Sequence, residues 1–223
     1  MTVVCALPDD SGMHRNGMRI TLAQVAKQFA REKVFTGVDH VFDAGSRTAI
    51  LGPNGSGKST LLQVAAGALI PTKGTIEHAL QGKTIDQEEV YRLVSIAAPY
   101  LGLYEDLSLR QAIATHARFK PFFRGITLED VARTAYLQLH LEKPVLNFSS
   151  GMKQRLKLAL AILSDTPLLL LDEPATNLDA EGIAWFRELL MKYLDGRTLL
   201  IASNRQVEET FACTAAVEIG KWK

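Results

Sequence analysis

Residues 47–69 read RTAILGPNGSGKSTLLQVAAGAL. A short apolar run leads into a glycine-rich turn, and a helical pattern follows. Gly52, Gly57, Lys58 and Ser59 match the spacing G-x-x-x-x-G-K-[ST] of a P-loop. Glycines permit a backbone path that points successive N–H groups inward, and the following helix adds the positive end of its dipole. The stretch therefore predicts a strand, a phosphate-binding loop and a helix, in that order.

This loop supplies the groups that hold a nucleoside triphosphate, and we expect it to bind ATP together with Mg²⁺. Lys58 is expected to reach the β- and γ-phosphates, and Ser59 is expected to offer its hydroxyl to Mg²⁺. The full set of expected phosphate contacts in the loop is Gly52, Pro53, Asn54, Gly55, Ser56, Gly57, Lys58, Ser59 and Thr60.

A second informative stretch, LLLLDEP at 168–174, is apolar and too short for a helix. It predicts a buried parallel strand that ends in two carboxylates. Asp172 fits the acid that holds Mg²⁺, and Glu173 is the candidate general base for the attacking water. The alternative is a strand that merely happens to end in acidic residues. A P-loop in the same chain favours the catalytic interpretation.

Strand, helix and loop patterns alternate between these two stretches, which predicts an α/β fold with a mostly parallel sheet flanked by helices. The run RTLLIAS at 197–203 predicts a further central strand. Residues 102–163 show helical spacing without apolar strand runs, and we expect them to form an inserted helical subdomain. The main domain is expected over residues 19–223. Residues 1–18 are expected to form a poorly ordered tail, in which Met18 is a second candidate start.

Composition limits the possible partners. The 223 residues carry 25 basic and 24 acidic side chains, for a net charge of +1, so we expect no nucleic-acid partner. No run approaches the roughly 18 apolar residues that a membrane helix needs, and the first 20 residues lack the basic start of a secretory signal. We therefore expect a cytoplasmic chain that does not cross a membrane by itself.

Further motifs, in the same order along the chain, resemble the nucleotide-binding subunits of ATP-binding-cassette (ABC) transporters from about residue 19 onward. FSSGMKQR at 148–155 is similar to the signature motif of that family, which usually reads leucine, serine, two glycines and glutamine. Ser149 and Gly151 match the pattern, whereas Phe148, Ser150 and Met152 differ from it.

Two other features belong to the same resemblance. TNLD at 176–179 is similar to the loop that follows the acidic strand in this family and ends in an aspartate, here Asp179. Phe29 stands near the position where the family places an aromatic ring against adenine. The resemblance implies a P-loop NTPase domain of the ABC type.

The resemblance also implies how the chain works. In the family, two such domains enclose two ATP molecules head to tail, so Ser149 and Gly151 would face the γ-phosphate held by a second ATPase subunit, with a homodimer expected. A transmembrane permease subunit would hold the pair at the inner face of the cell membrane. The simpler alternative for Ser149 or Ser150 is an ordinary helix N-cap.

Two further departures from the family pattern lie outside the signature motif. Asn204 stands where the family usually has a histidine, and we expect its amide to act in catalysis by donating toward the γ-phosphate. Pro99 and Tyr100 stand where the family has a glutamine. These departures keep two alternatives to a transport ATPase open: a nucleotide sensor with little hydrolysis, and an ATPase of this superfamily that is not linked to transport.

The helical insertion is also expected to carry the groove for the membrane partner. It contains an aromatic and basic cluster that is unusual for a solvent-exposed face, Arg118, Phe119, Lys120, Phe122, Phe123 and Arg124. The alternative is a turn that packs on its own domain.

Overall fold

A computed structural model of the chain describes residues 16–223. The strands are β1 (Met18–Phe29), β2 (Glu32–Phe42), β3 (Arg47–Leu51), β4 (Lys73–Leu80), β5 (Lys83–Thr84), β6 (Val94–Ala97), β7 (Leu168–Asp172), β8 (Thr198–Ser203) and β9 (Ala215–Glu218). The helices are α1 (Lys58–Ala65), α2 (Gln87–Val90), α3 (Leu109–Phe119), α4 (Leu128–Thr134), α5 (Ser150–Leu163), α6 (Ala180–Tyr193) and α7 (Val207–Thr210). Residues 1–15 of the expected tail lie outside the described residues, whereas Met18 opens β1 with its side chain buried.

A five-stranded parallel sheet lies at the centre, in the order β6-β7-β8-β3-β9. The three strands predicted from apolar runs, β3, β7 and β8, are neighbours in it, and the predicted α/β class is confirmed. Asp172 pairs with Ala202, and Leu51 pairs with Ser203. The carboxyl ends of these strands therefore meet at one edge, where sheets of this kind bind ligands.

A second sheet is antiparallel, in the order β2-β1-β4-β5, and the expected alternation of strands and helices did not predict it. Its strands show period-two burial: Met18, Ile20 and Leu22 are buried, and Arg19 between them is exposed. The ladder shifts register after Leu22, near Gln24, whose φ is 50°. The sheet covers α1 and one face of the parallel sheet.

The strand β7 separates two hydrophobic clusters. Leu168 and Leu170 pack with α1 and the antiparallel sheet, whereas Leu169 and Leu171 pack with α5 and α6. All four side chains are fully buried. Because burial of one leucine contributes about 1.5–3 kcal/mol, this strand end is held rigidly from both sides.

The segment between β6 and β7 contains α3, α4 and α5 and no strand, in agreement with its helical spacing. Ser108 and Thr127 each begin a helix with a reciprocal capping box. The helix α4 ends at Thr134, shortly before Tyr136, whose left-handed φ of 60° does not fit a continuing helix. Among the described residues, no helix has the length and apolar character needed to span a membrane.

Candidate nucleotide site

A cavity of about 400 Å³ lies over the P-loop. It is lined by Phe29, Glu32, Lys33, Val34, Asn54, Gly55, Ser56, Gly57, Lys58, Ser59, Thr60, Glu173 and Lys223. Gly57 caps α1 with a φ of 99°, and a Cβ there would lie 2.6 Å from Cγ1 of Val34. Among the described residues no side chain caps this helix, so its first N–H groups are open to an anion.

The side chain of Lys58 is held at the floor of this cavity with 4% of its surface exposed. Its Nζ donates to the carbonyl of Pro53 at 3.1 Å and lies 3.9 Å from Oε1 of Glu173. The hydroxyl of Ser56 is buried without a hydrogen-bond partner among the described residues. Gly52 and Pro53 belong to the loop but not to the cavity lining, and a Cβ at Gly52 would strike Ser56 Oγ at 2.7 Å. The loop is therefore packed for a ligand with several acceptor oxygens.

Asp172 lies beside the cradle with 2% of its surface exposed. Burial raises the pKa of its carboxyl, and a hydrogen bond from Ser59 opposes that shift. Its Oδ1 has no partner within residues 16–223. An unpartnered buried carboxylate oxygen next to a serine hydroxyl fits a hard cation such as Mg²⁺. No three His, Cys, Asp or Glu side chains of the described part cluster as metal ligands, so phosphate and water oxygens would complete such a shell.

Glu173 occupies a strained backbone position at the end of β7. Its φ is 46°, a left-handed value that is uncommon for a residue with a side chain. Its N–H donates to the carbonyl of Ala202 at 2.9 Å. The carboxylate remains 33% exposed on the cavity side, so a water molecule can reach it. The arrangement can accept a proton from water near the phosphates.

A separate cavity of about 260 Å³ lies at the start of α5. Its lining is Ala135, Tyr136, Leu137, Ser149, Gly151, Met152, Arg155, Asn177, Leu178 and Asp179. Ser149 is the N-cap of α5 and accepts from the N–H of Met152 at 3.2 Å. Asp179 caps α6 at 2.8 Å from the N of Gly182 and lies 3.5 Å from Nη2 of Arg155. This second cavity, which we call the signature cavity, shares no lining residue with the P-loop cavity.

Asn204 and Tyr100, which depart from the family pattern outside the signature motif, do not line the P-loop cavity. Asn204 follows β8, is exposed and lines neither cavity. Tyr100 hydrogen-bonds to Gln63 of α1, and burial together with the charge of Asp172 raises the pKa of its phenol. Tyr100 is therefore a neutral hydroxyl close to the acidic strand end.

Sequence reasoning missed four residues of the P-loop cavity: Glu32, Lys33, Val34 and Lys223. None of them belongs to a motif with fixed spacing. The first three lie at the start of β2, which the antiparallel sheet brings over the loop. An amphipathic hairpin before the P-loop would have been the available signal.

A comparison with known protein families shows to which family the chain belongs. Residues 35–176 match the ABC transporter family, a span that contains the P-loop, the signature stretch and the acidic strand. The chain belongs to this family.

Individual relatives and structures agree with this membership. The cytochrome c biogenesis ATP-binding export protein of Cupriavidus pinatubonensis is 34% identical over 205 residues, covering 87% of this chain and 89% of that protein. The bacitracin transport ATP-binding protein of Bacillus licheniformis is 31% identical over 209 residues, covering 91% of this chain and 67% of that protein. A dimeric ATP-binding cassette solved in a post-hydrolysis state with ADP and phosphate superposes with a TM-score of 0.76 at 22% identity, covering 89% of this chain and 93% of that one. The chain has the fold of an ABC ATPase cassette, and it is an ATP-binding protein and ATPase of that family.

Proposed function

We propose that this cassette hydrolyses ATP within a pair of cassettes and thereby drives a separate transmembrane permease. One observation carries the proposal: the chain has a complete phosphate cradle and, in a cavity with no shared residue, a second helix start at Ser149 and Gly151. A helix start of this kind suits an anion. A second copy, turned head to tail, would place its own nucleotide there.

The chain's own residues would bind the substrate as follows. The N–H groups of residues 54–60 would hold the phosphates of ATP, and Lys58 would leave the carbonyl of Pro53 to pair with their charge. Ser59 and Asp172 would hold Mg²⁺, which supplies positive charge to the phosphate oxygens when bound. Phe29, 49% exposed at the cavity rim, would lie against the adenine ring.

Hydrolysis would then depend on Glu173. Its carboxylate is on the open side of the cavity and would take the proton of the attacking water. Asn204 lies outside the cavity lining. Its amide would donate toward the γ-phosphate once the loop after β8 moves toward the cavity. An amide cannot become a cation near neutral pH, so it would stabilise developing charge less than an imidazolium would. We therefore infer slow hydrolysis, with Asp179 and Ser149 acting from the second copy.

The permease would dock in a third cavity, of about 430 Å³, which we call the groove. It lies between the end of α1, α2 and α3 and exposes aromatic rings: Tyr91 is 55%, Tyr104 64% and Phe119 63% exposed. Exposed aromatic side chains that share one concave surface are typical of an interaction site. Of the aromatic and basic cluster, Phe119 and Lys120 line the groove, whereas Phe123 is buried against Tyr193.

Two contacts would transmit events in the groove to the signature cavity. Lys153 donates to Glu105 at 2.7 Å, and Lys157 donates to the carbonyl of Ala98 at 3.4 Å. Both lysines belong to α5, whose first turn carries Gly151, and the acceptors flank the groove-lining residues 101–104. We infer that residues 102–163 act as one helical subdomain. The docked permease would hold the pair of cassettes at the inner face of the membrane.

The test uses the variant Glu173→Gln, which keeps the side-chain shape and removes the base. With MgATP it should double its mass in light scattering, because ATP is trapped between two copies. Ser149→Arg added to Glu173→Gln is the matched control: this double variant should bind ATP at its own P-loop but remain a monomer. A monomeric Glu173→Gln chain at high concentration would contradict the homodimer.

Phosphate release from the unmodified chain decides between motor and sensor. Slow turnover that is absent from Glu173→Gln supports the ATPase mechanism. If the chain shows no turnover, also in the presence of its permease, then the nucleotide-sensor alternative replaces the motor. That alternative draws on Asn204, which is exposed and outside the cavity lining, and on Tyr100 in place of a glutamine.

A further inference from the structure

Behind the nucleotide site lies a buried carboxyl group that the mechanism above does not use. Glu209 of α7 has no exposed surface. Glutamate is almost never fully buried unless it is paired. Within residues 16–223, no lysine or arginine forms a salt bridge with it, and the charges that act on it are those of Glu173 and Asp172. A buried carboxyl without a cation needs a structural reason.

Its hydrogen bonds give that reason. Oε1 accepts from the N–H of Ala175 at 3.3 Å, and Oε2 accepts from the hydroxyl of Ser203. The same hydroxyl accepts from the N–H of Gln206 at 3.1 Å, which closes the turn after β8. Ala175 follows Glu173 by two residues, and Ser203 directly precedes Asn204. One side chain therefore connects the loops that carry the candidate base and the candidate γ-phosphate donor.

This connection helps to hold Glu173 in its strained backbone conformation. A left-handed φ at a non-glycine residue costs roughly 1–2 kcal/mol and persists only where the surroundings hold it. On its amino-terminal side, Glu173 is held by its own N–H bond to Ala202. On its carboxyl-terminal side, the next N–H, that of Ala175, is held by Glu209. Both bonds lead to the end of β8, so together they fix the backbone of Glu173 between two anchors on one strand.

We propose that Glu209 is a positioning residue for hydrolysis: its buried carboxyl holds the loop after Glu173 against the loop that carries Asn204, and it contacts neither nucleotide nor metal. The inference rests on the proposed function, in which Glu173 is the base. Replacement of Glu209 would leave ATP binding at the P-loop intact. It would slow the chemical step, because Glu173 would no longer keep its orientation.

The surroundings of Glu209 shift its carboxyl toward the neutral acid relative to water. Burial raises the pKa of Glu209, and the neighbouring carboxylates of Glu173 and Asp172 raise it further, while the bonds from Ser203 and Ala175 oppose the shift. A glutamine has the shape of the neutral acid: its oxygen can accept from the N–H of Ala175, and its N–H can donate to the second lone pair of the Ser203 hydroxyl, which reverses the direction of that bond. Glu209→Gln should therefore preserve the connection. Glu209→Leu has a similar volume and removes both bonds.

The experiment compares four variants with the unmodified chain: Glu209→Leu, Glu209→Gln, Ser203→Ala and the control Glu208→Leu. Glu208 is the exposed neighbour in the same helix. Steady-state phosphate release gives kcat and KM, and nucleotide titration gives Kd. Hydrogen–deuterium exchange follows the amides of Glu173 and of residues 175–177. Ser203→Ala removes one of the two bonds and keeps the test decisive if Glu209→Leu fails to fold.

We expect Glu209→Leu to lower kcat about tenfold, the equivalent of about 1.4 kcal/mol, with Kd and KM for ATP unchanged. The Ala175 amide should exchange faster in this variant. Ser203→Ala should likewise lower kcat and speed exchange of the Ala175 amide. Glu209→Gln and Glu208→Leu should resemble the unmodified chain in both respects.

Several outcomes overturn the inference. Normal kcat in Glu209→Leu excludes a role in hydrolysis, and normal exchange at Ala175 excludes the connection itself. A fall in kcat that is matched by an equal rise in Kd would mean a general structural defect. If the unmodified chain itself does not turn over ATP, the proposed function fails and the catalytic role of Glu209 fails with it, whereas the exchange data still report separately on the connection.

Discussion

His116 in the groove should make the stability of the chain depend on pH in a defined window. Burial, followed by the charge of Lys120, lowers the pKa of His116 from 6.5 to about 4. The hydroxyl of Ser164 donates to the carbonyl of Leu160 at 2.7 Å. Because this bond uses the hydroxyl hydrogen, Nε2 of His116 must donate to Oγ of Ser164, which lies 2.8 Å from it. The ring also stacks on Phe122, with centroids 5.6 Å apart. The folded chain therefore holds this imidazole neutral.

The sign and size of the effect follow from these values. Below pH 6.5 His116 becomes protonated in the unfolded chain but stays neutral in the folded chain. The free energy of unfolding therefore decreases as the pH falls from 6.5 to about 4. At about 1.4 kcal/mol per pH unit, the loss reaches roughly 3 kcal/mol. His116→Gln keeps a donor for Ser164 and carries no charge, so it should escape this loss.

Urea unfolding of both chains between pH 4 and 7.5 measures the effect. His40 and His78 also have lowered pKa values, but their contribution cancels in the difference between the two chains. Lys120→Gln should reduce the loss slightly, because burial is the larger cause. A difference between parent and His116→Gln that stays constant over this range would refute the buried, neutral histidine.

Two further predictions concern the nucleotide. Lys58→Ala should abolish tight ATP binding, since it removes the ammonium that the cradle aims at the phosphates; unchanged affinity in a nucleotide titration would contradict the P-loop assignment. Asn204→His should accelerate phosphate release and introduce a pH dependence near the ordinary histidine value of about 6.5, which the parent lacks. A flat pH profile with parental rate would show that this position does not reach the phosphates.

The parts of the fold that the sequence predicted are those with local signals. Each of these signals is confined to a short continuous stretch of sequence: the P-loop spacing, the apolar run of β7 and the helical period of α5. The antiparallel sheet escaped prediction because its pairing joins distant residues, such as Met18 with Leu80. Its alternating pattern is short and is interrupted by the register shift near Gln24.

The site shows the same division. Lys58, Ser59 and Glu173 were predictable because motifs place them, and the structure gathers them in or beside one cavity. Glu209 was not predictable, since two adjacent glutamates differ only in which one the short helix α7 turns inward. The contact of Tyr100 with Gln63 likewise joins separate elements, so a sequence pattern could report only a missing glutamine.

The separation of the P-loop cavity from the signature cavity has a genetic consequence. In the proposed pair, each ATP is enclosed by the cradle of one chain and the helix start of the other. A chain defective at Lys58 and a chain defective at Ser149 would together form one undamaged site and one doubly damaged site. Two such alleles could complement each other in one cell, whereas two alleles damaged in the same cavity could not. One gene would thus behave in crosses as two units of function.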